Sequence, residues 1–108
     1  MRLRPRKDRN HAELVTEFER LGAVVVDLSA LGNGVPDVMV CLQNVCIPVE
    51  IKDGGKAPSK RALTNDQIDW WLKARMNPRV VTNPRQAQET VEVLTQWVNA
   101  IQRGKNAV

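Results

Sequence analysis

The sequence predicts an α/β domain, a mixed central sheet flanked by helices, with the element order α-β-β-β-α-β-α. Three observations carry this. Apolar residues recur at helical spacing near both ends of the chain. Two strictly alternating apolar runs stand back to back in the middle. Short β-branched runs at 23–28 and 79–82 sit between helical stretches.

The elements follow in order. Residues 1–9 hold Arg2, Arg4, Arg6, Lys7 and Arg9 against one acid, Asp8, and read as a basic arm that either meets a polyanion or is a solvated tail. A helix starts near Asn10, with Leu14, Phe18 and Leu21, helped by Val15, as its apolar stripe and Gly22 as its stop. Ala23 to Leu28 is a buried strand, and Leu31 to Gly34 has turn chemistry. Pro36 to Leu42 and Val45 to Lys52 are strands joined at Gln43-Asn44. Gly54 to Thr64 is a loop rich in Gly, Pro, Lys and Arg. Thr64 suits the cap of a helix over about 65–75, with Asp66 in its first turn. Pro78 ends that region, Arg79 to Thr82 is a short strand, and Pro84 opens a last helix reaching toward Ile101. Val91, Leu94, Val98 and Ile101 are its apolar face. Trp70 and Trp71 point about 100° apart on a helix. The expectation is that both are core, the alternative being one partly exposed contact for DNA or a second copy. There is one domain, 10–102, and a tail, 103–108.

With 108 residues, 43% of them hydrophobic and only Phe18, Trp70, Trp71 and Trp97 aromatic, the core is modest. A charged fraction of 26% excludes a disordered chain. The net charge of +4 suits a polyanion, either nucleic acid or an anionic membrane surface, or else serves solubility alone. Cys41 and Cys46 lack a second Cys/His pair at ligand spacing, and His11 is the sole histidine, which excludes a zinc finger. No apolar leader or membrane-length run is present, so the expectation is a cytoplasmic, reducing location with both thiols free.

The chemistry concentrates between Gly34 and Asp53. If Gln43 and Asn44 are a two-residue turn, Leu42 faces Val45, Cys41 faces Cys46 and Asp37 faces Glu50. Val38, Val40, Leu42, Val45, Ile47, Val49 and Ile51 then share one apolar face. Asp37, Met39, Cys41, Cys46, Pro48, Glu50 and Lys52 share the other. A slip of one residue would bury the charged set, so the register is strongly specified. Pro48 within the second strand points to an edge or a bulge there. Two adjacent carboxylates repel and are hard-oxygen ligands suited to Mg²⁺ or Mn²⁺. A lysine beside them can orient or deprotonate a water, or neutralise a phosphate. The set therefore suits phosphodiester cleavage, the plain alternative being a solvated sheet face with ordinary charges.

The motifs extend the pattern. Gly34-Val35-Pro36-Asp37 followed by Val49-Glu50-Ile51-Lys52 resembles the P-D…(D/E)-x-K signature of restriction-like nucleases. Asn10-His11-Ala12-Glu13, Glu50-Ile51-Lys52-Asp53-Gly54, Lys56-Ala57-Pro58-Ser59 and Leu63-Thr64 complete a resemblance to small, stand-alone, phage-type members of the VRR-NUC branch, over about residues 8 to 95. The resemblance implies a restriction-endonuclease-like core. It implies Asp37, Glu50 and the Ile51 carbonyl as metal ligands, with Glu13 near the metal, bound directly or through water. It places Gln67 beside the site and Lys52 in catalysis. Lys56, Lys60 and Arg61, with Arg4, Arg6 and Lys7 of the arm, would hold DNA phosphates.

The expected protein is thus a Mg²⁺- or Mn²⁺-dependent endonuclease acting on DNA. Kinship of this branch to Holliday-junction resolvases implies a branched substrate and a homodimer, in a bacterial or phage-infected cell. The rival is a non-catalytic DNA-binding module that retains the nuclease fold.

Overall fold

Two residues at a turn set the register of the sheet. The computed structural model describes residues 8–106. Strand β2 (Val38–Leu42) turns through Gln43, which takes the left-handed conformation, and Asn44 into β3 (Val45–Ile51). The pairs are Leu42 with Val45, Cys41 with Cys46, Val40 with Ile47, Met39 with Pro48 and Val38 with Val49, the register read from the alternation. β1 (Val24–Asp27) pairs antiparallel with β2, and β4 (Val80–Val81) pairs parallel with β3. The open mixed sheet has the order β1-β2-β3-β4.

The helices are α1 (His11–Arg20), α2 (Pro58–Arg61), α3 (Asn65–Ala74) and α4 (Pro84–Asn106). This is the expected α/β order with one addition. The stretch expected to be entirely loop contains the single turn α2, opened by Pro58, whose fixed φ and missing N–H suit a first helical position. α1 and α4 lie against the apolar sheet face. Leu14 and Phe18 meet Val38, Val40, Val49, Ile51, Val81, Val91 and Leu94 in one core, with Leu42 and Val45 partly buried at its margin. α3 crosses the opposite face, so helices flank the sheet on both sides.

Pro48 sits where its missing N–H costs nothing. The N–H groups of Glu50 and Lys52 donate to Arg79 and Val81 on the β4 side. By the same alternation position 48 faces that side too, and β4 covers only Glu50 and Ile51. The strand is locally an edge there, without a bulge in the β2 pairing.

Four expectations need correction. Cys41 and Cys46 are not free thiols: they form a disulfide across the hairpin, their Cα atoms 4.0 Å apart. They are a directly opposed pair one step from the turn's closing pair, where antiparallel strands come closest. Trp71 is buried, but Trp70 is only partly so and stands edge-on to it, ring centres 5.2 Å apart. Ile101 lies outside the core, 42% exposed, because α4 runs on to Asn106 past the end of the sheet. Finally, Asp8 and Arg9 belong to the folded body, not to a free arm. The Asp8 carbonyl accepts from His11 N–H, and Arg9 pairs with Asp53 at 3.5 Å. Arg4, Arg6 and Lys7 fall outside the described residues.

Candidate active site

The motif Gly34-Val35-Pro36-Asp37 opens on a backbone contact. Gly34 has φ +80°, and a Cβ there would stand 2.1 Å from the Asp66 carbonyl oxygen. Only glycine lets the first turn of α3 come this close to the loop before β2. That approach covers the polar sheet face with α3. Glu50 is therefore 1% and Lys52 7% exposed, so at its functional end this face is buried and is not the solvated sheet face of the plain alternative.

Asp37, Glu50 and Lys52 do converge. They line one cavity of about 240 Å³ together with Asp8, Ser29 and Gln67. Asp37 lies just beyond the last β2–β3 pair, and its Oδ2 accepts the Ile51 N–H at 2.8 Å. The N–H and C=O of one strand residue point to the same side, so the Ile51 carbonyl also faces the Asp37 side. Lys52 Nζ donates to Gln67 Oε1 at 2.9 Å, and Gln67 Nε2 donates to Glu50 Oε1 at 3.0 Å. Gln67 thus spans the acid and the base of the motif.

The same glutamine caps its own helix. Its Oε1 accepts the Thr64 N–H at 2.9 Å while its backbone N–H donates to Thr64 Oγ1 at 3.3 Å, a complete capping box. Thr64 is the cap the sequence predicts, but the reach of Gln67 into the site could be inferred only from the family resemblance.

Burial pushes the Glu50 carboxyl up to about 9, aided by the adjacent Asp37 carboxylate and by Asp8; Lys52 opposes the rise. At neutral pH Glu50 holds a proton in this state. Its Oε2 is buried with no hydrogen-bond partner among the described residues. An orphaned carboxylate oxygen beside a second carboxylate fits a divalent cation, which would satisfy it and displace the proton. The described residues contain no cluster of three or more His, Cys, Asp or Glu, so such an ion would rest on Asp37, Glu50 and backbone oxygen.

Glu13 is not brought to this pair. It is exposed and lines a separate cavity of about 800 Å³ with Arg9, Asn10, Asp53, Gly54 and Arg61. The phase of α1 is the reason: Leu14 and Phe18 take the core direction, which turns Glu13 toward the loop after β3. The acid delivered to the cavity by the N-terminal segment is Asp8, whose Oδ1 accepts from Lys56 Nζ at 3.0 Å. Sequence reasoning missed it, though a lone acid among five cations was the available signal. Asn10 is read from the sequence as a helix start and as the first residue of the Asn10-His11-Ala12-Glu13 segment. It makes no side-chain cap, and its Nδ2 instead donates to the Lys52 and Thr82 carbonyls at 3.1 and 3.0 Å, tying α1 to the ends of β3 and β4. Lys60 and Arg61 are exposed on α2, and Arg61 donates to the Gly54 carbonyl at 3.4 Å.

No helix among the described residues is long and apolar enough to cross a membrane. Compared with protein-family models, with curated proteins and with solved structures, the chain matches none.

Proposed function

We propose that this chain is a Mg²⁺- or Mn²⁺-dependent DNA endonuclease with a restriction-endonuclease-like core, resembling the VRR-NUC branch, and that it acts on branched, Holliday-junction-like DNA. The observation that carries the reading is the buried, unpartnered oxygen of Glu50 beside Asp37, with Lys52 in the same cavity. A buried carboxyl oxygen left without a partner is costly in a purely structural role. The same atom is well used as a ligand.

Asp37, Glu50 and the Ile51 carbonyl would hold the cation, with Asp8 on the cavity wall. When bound, the ion lowers the pKa of a water and offsets charge on the phosphate. Lys52 orients the attacking water and offsets phosphate charge as the new P–O bond forms and the ester P–O bond breaks. Gln67 holds Lys52 and Glu50 at fixed separation. Lys56, Lys60 and Arg61 engage flanking phosphates. The test is a panel of labelled linear, flap and four-way-junction DNAs incubated with Mg²⁺ or Mn²⁺. Cation-dependent cleavage, strongest on the branched forms and absent in Asp37→Asn, is expected. Binding without cleavage under every cation would leave the non-catalytic module in its place.

A further inference from the structure

The last two turns of α4 stand clear of the body. Every side chain from Asn99 to Lys105 is exposed, whereas Leu94 and Val98 just before them are buried. The apolar pattern does not stop where burial stops. Trp97 is 47% and Ile101 42% exposed. Val93 is half-buried and lines, with Trp97, Ile47, Met76 and Pro78, a groove of about 400 Å³. Val93, Trp97 and Ile101 are four residues apart and form one ridge of the helix. Two helical turns projecting into water are not held by propensity alone, and a patch of large apolar side chains on them marks a protein contact.

The charges beyond the ridge identify the occupant. Glu89 lies four residues before Val93, and Lys105 four after Ile101. The row reads Glu89–Val93–Trp97–Ile101–Lys105. Reversed, it exchanges acid for base and keeps its apolar centre. Glu92 and Arg103 repeat the polarity, acid toward the body and cation on the projection. An isologous contact requires this property, since a two-fold axis sets residue i against j and j against i. With the axis at Trp97, Trp97 meets its own copy, Val93 meets Ile101 and Glu89 meets Lys105. Glu89 can do so, since the exposed ion pair it makes with Arg85 at 3.4 Å holds it weakly.

We propose that a second copy of this chain docks here, the two α4 projections packing antiparallel so that Ile101 of each enters the groove between Trp97 and Met76 of the other. Ridges of the i, i+4 kind interlock at a crossing of about −50°. The cavity of Asp37 and Glu50 lies on the other sheet face and stays open. The proposal rests on this surface alone and holds whether or not the chain cleaves DNA.

Sedimentation equilibrium at micromolar concentration tests it. The wild type is expected to be a dimer, and Trp97→Glu a monomer with unchanged far-ultraviolet circular dichroism. Glu89→Lys and Lys105→Glu, both on the surface, should each weaken the dimer by about fivefold, and the two together should restore it to within about twofold. These reversals keep the question decidable if Trp97→Glu fails to fold. A monomeric wild type overturns the proposal, as does a dimer indifferent to Trp97→Glu or reversals that do not compensate. A Trp97→Glu protein with altered DNA affinity and unaltered mass would overturn it too, making this face a DNA contact.

Discussion

Glu50 is asked to be neutral and to be a ligand, and pH separates the two states. Its carboxyl sits near 9 when folded, against an ordinary 4.5. For an acid raised on folding, the native state binds the extra proton, so metal-free stability is fullest below about pH 4.5 and falls as pH rises toward 9. Glu50→Gln should flatten that decline, melt higher than wild type at neutral pH without metal, and cleave nothing. Thermal melts across pH measure it, and a wild-type melting temperature that climbs from pH 5 to 8 (roughly that span) would refute it. Cation binding runs the other way. Because the ion must displace the proton, Mn²⁺ affinity should gain about tenfold per pH unit below the Glu50 value. Titration calorimetry at several pH values shows the slope. Lys52 supplies the second test at this scale. Lys52→Ala should lose cleavage by orders of magnitude while DNA affinity measured in Ca²⁺ stays within a few-fold, since its contribution is made in the transition state. Lys52→Arg should not restore cleavage: Lys52 is buried with its Nζ on Gln67, where a planar fork does not fit the same contact, and a guanidinium is no base near neutral pH. An active arginine variant would reduce Lys52 to a phosphate contact.

At the scale of elements, the site is a sheet face made functional by a helix laid over it. Gly34→Ala should therefore damage the site without touching a catalytic group, by forcing α3 off the loop and parting Gln67 from Glu50. Cleavage should fall sharply, while Mn²⁺ at neutral pH should bind at least as tightly as to the wild type, because a Glu50 less covered by α3 holds its proton less firmly. Single-turnover rates beside Mn²⁺ titration distinguish this from general misfolding. The disulfide lies at the far end of the same hairpin, four residues from Glu50, or roughly 13 Å along the strand. Its span is short, so reduction should cost at most about 2 kcal/mol and leave the cleavage rate unchanged. Denaturant melts with and without reductant show the first, and activity in reductant the second. The hairpin was legible in the sequence because alternation has period two and seven apolar residues in phase admit one register. The burial of Glu50 and Lys52 was not. It depends on Gly34 and Asp66 meeting across 32 positions of sequence, and no periodicity within either segment reports that contact. Glu13 was set near the metal by the family resemblance alone: helical spacing identifies the buried stripe but not which neighbouring loop the adjacent positions face. Cys41 and Cys46 were rightly set opposite each other, and only their oxidation state was misjudged, from the expected compartment and not from the geometry.

Taken whole, the molecule is an antiparallel unit completed by a later, parallel addition. α1 and β1 to β3 are contiguous in sequence and in space, with pairings between successive strands. β4 contributes two residues, reached only after the chain has crossed the opposite face as α3. Of the α3 residues, only Trp71 is buried. Native-state hydrogen exchange should therefore find the slowest amides in β2 and β3 and a lower opening free energy for α3, and equal protection of the two would contradict this division. The cations around the site act at this scale as well. Replacing Lys56, Lys60 and Arg61 by alanine should flatten the salt dependence of DNA binding by roughly one unit of slope per lost phosphate contact. Lys56 should contribute least, since it already serves Asp8. Synthesis runs in the same direction as the sheet is ordered. Asp37, Glu50 and Lys52 leave the ribosome close together, and Gln67 follows 15 residues after Lys52. For that interval the nascent chain carries its carboxylate pair before the helix that will cover it has been made.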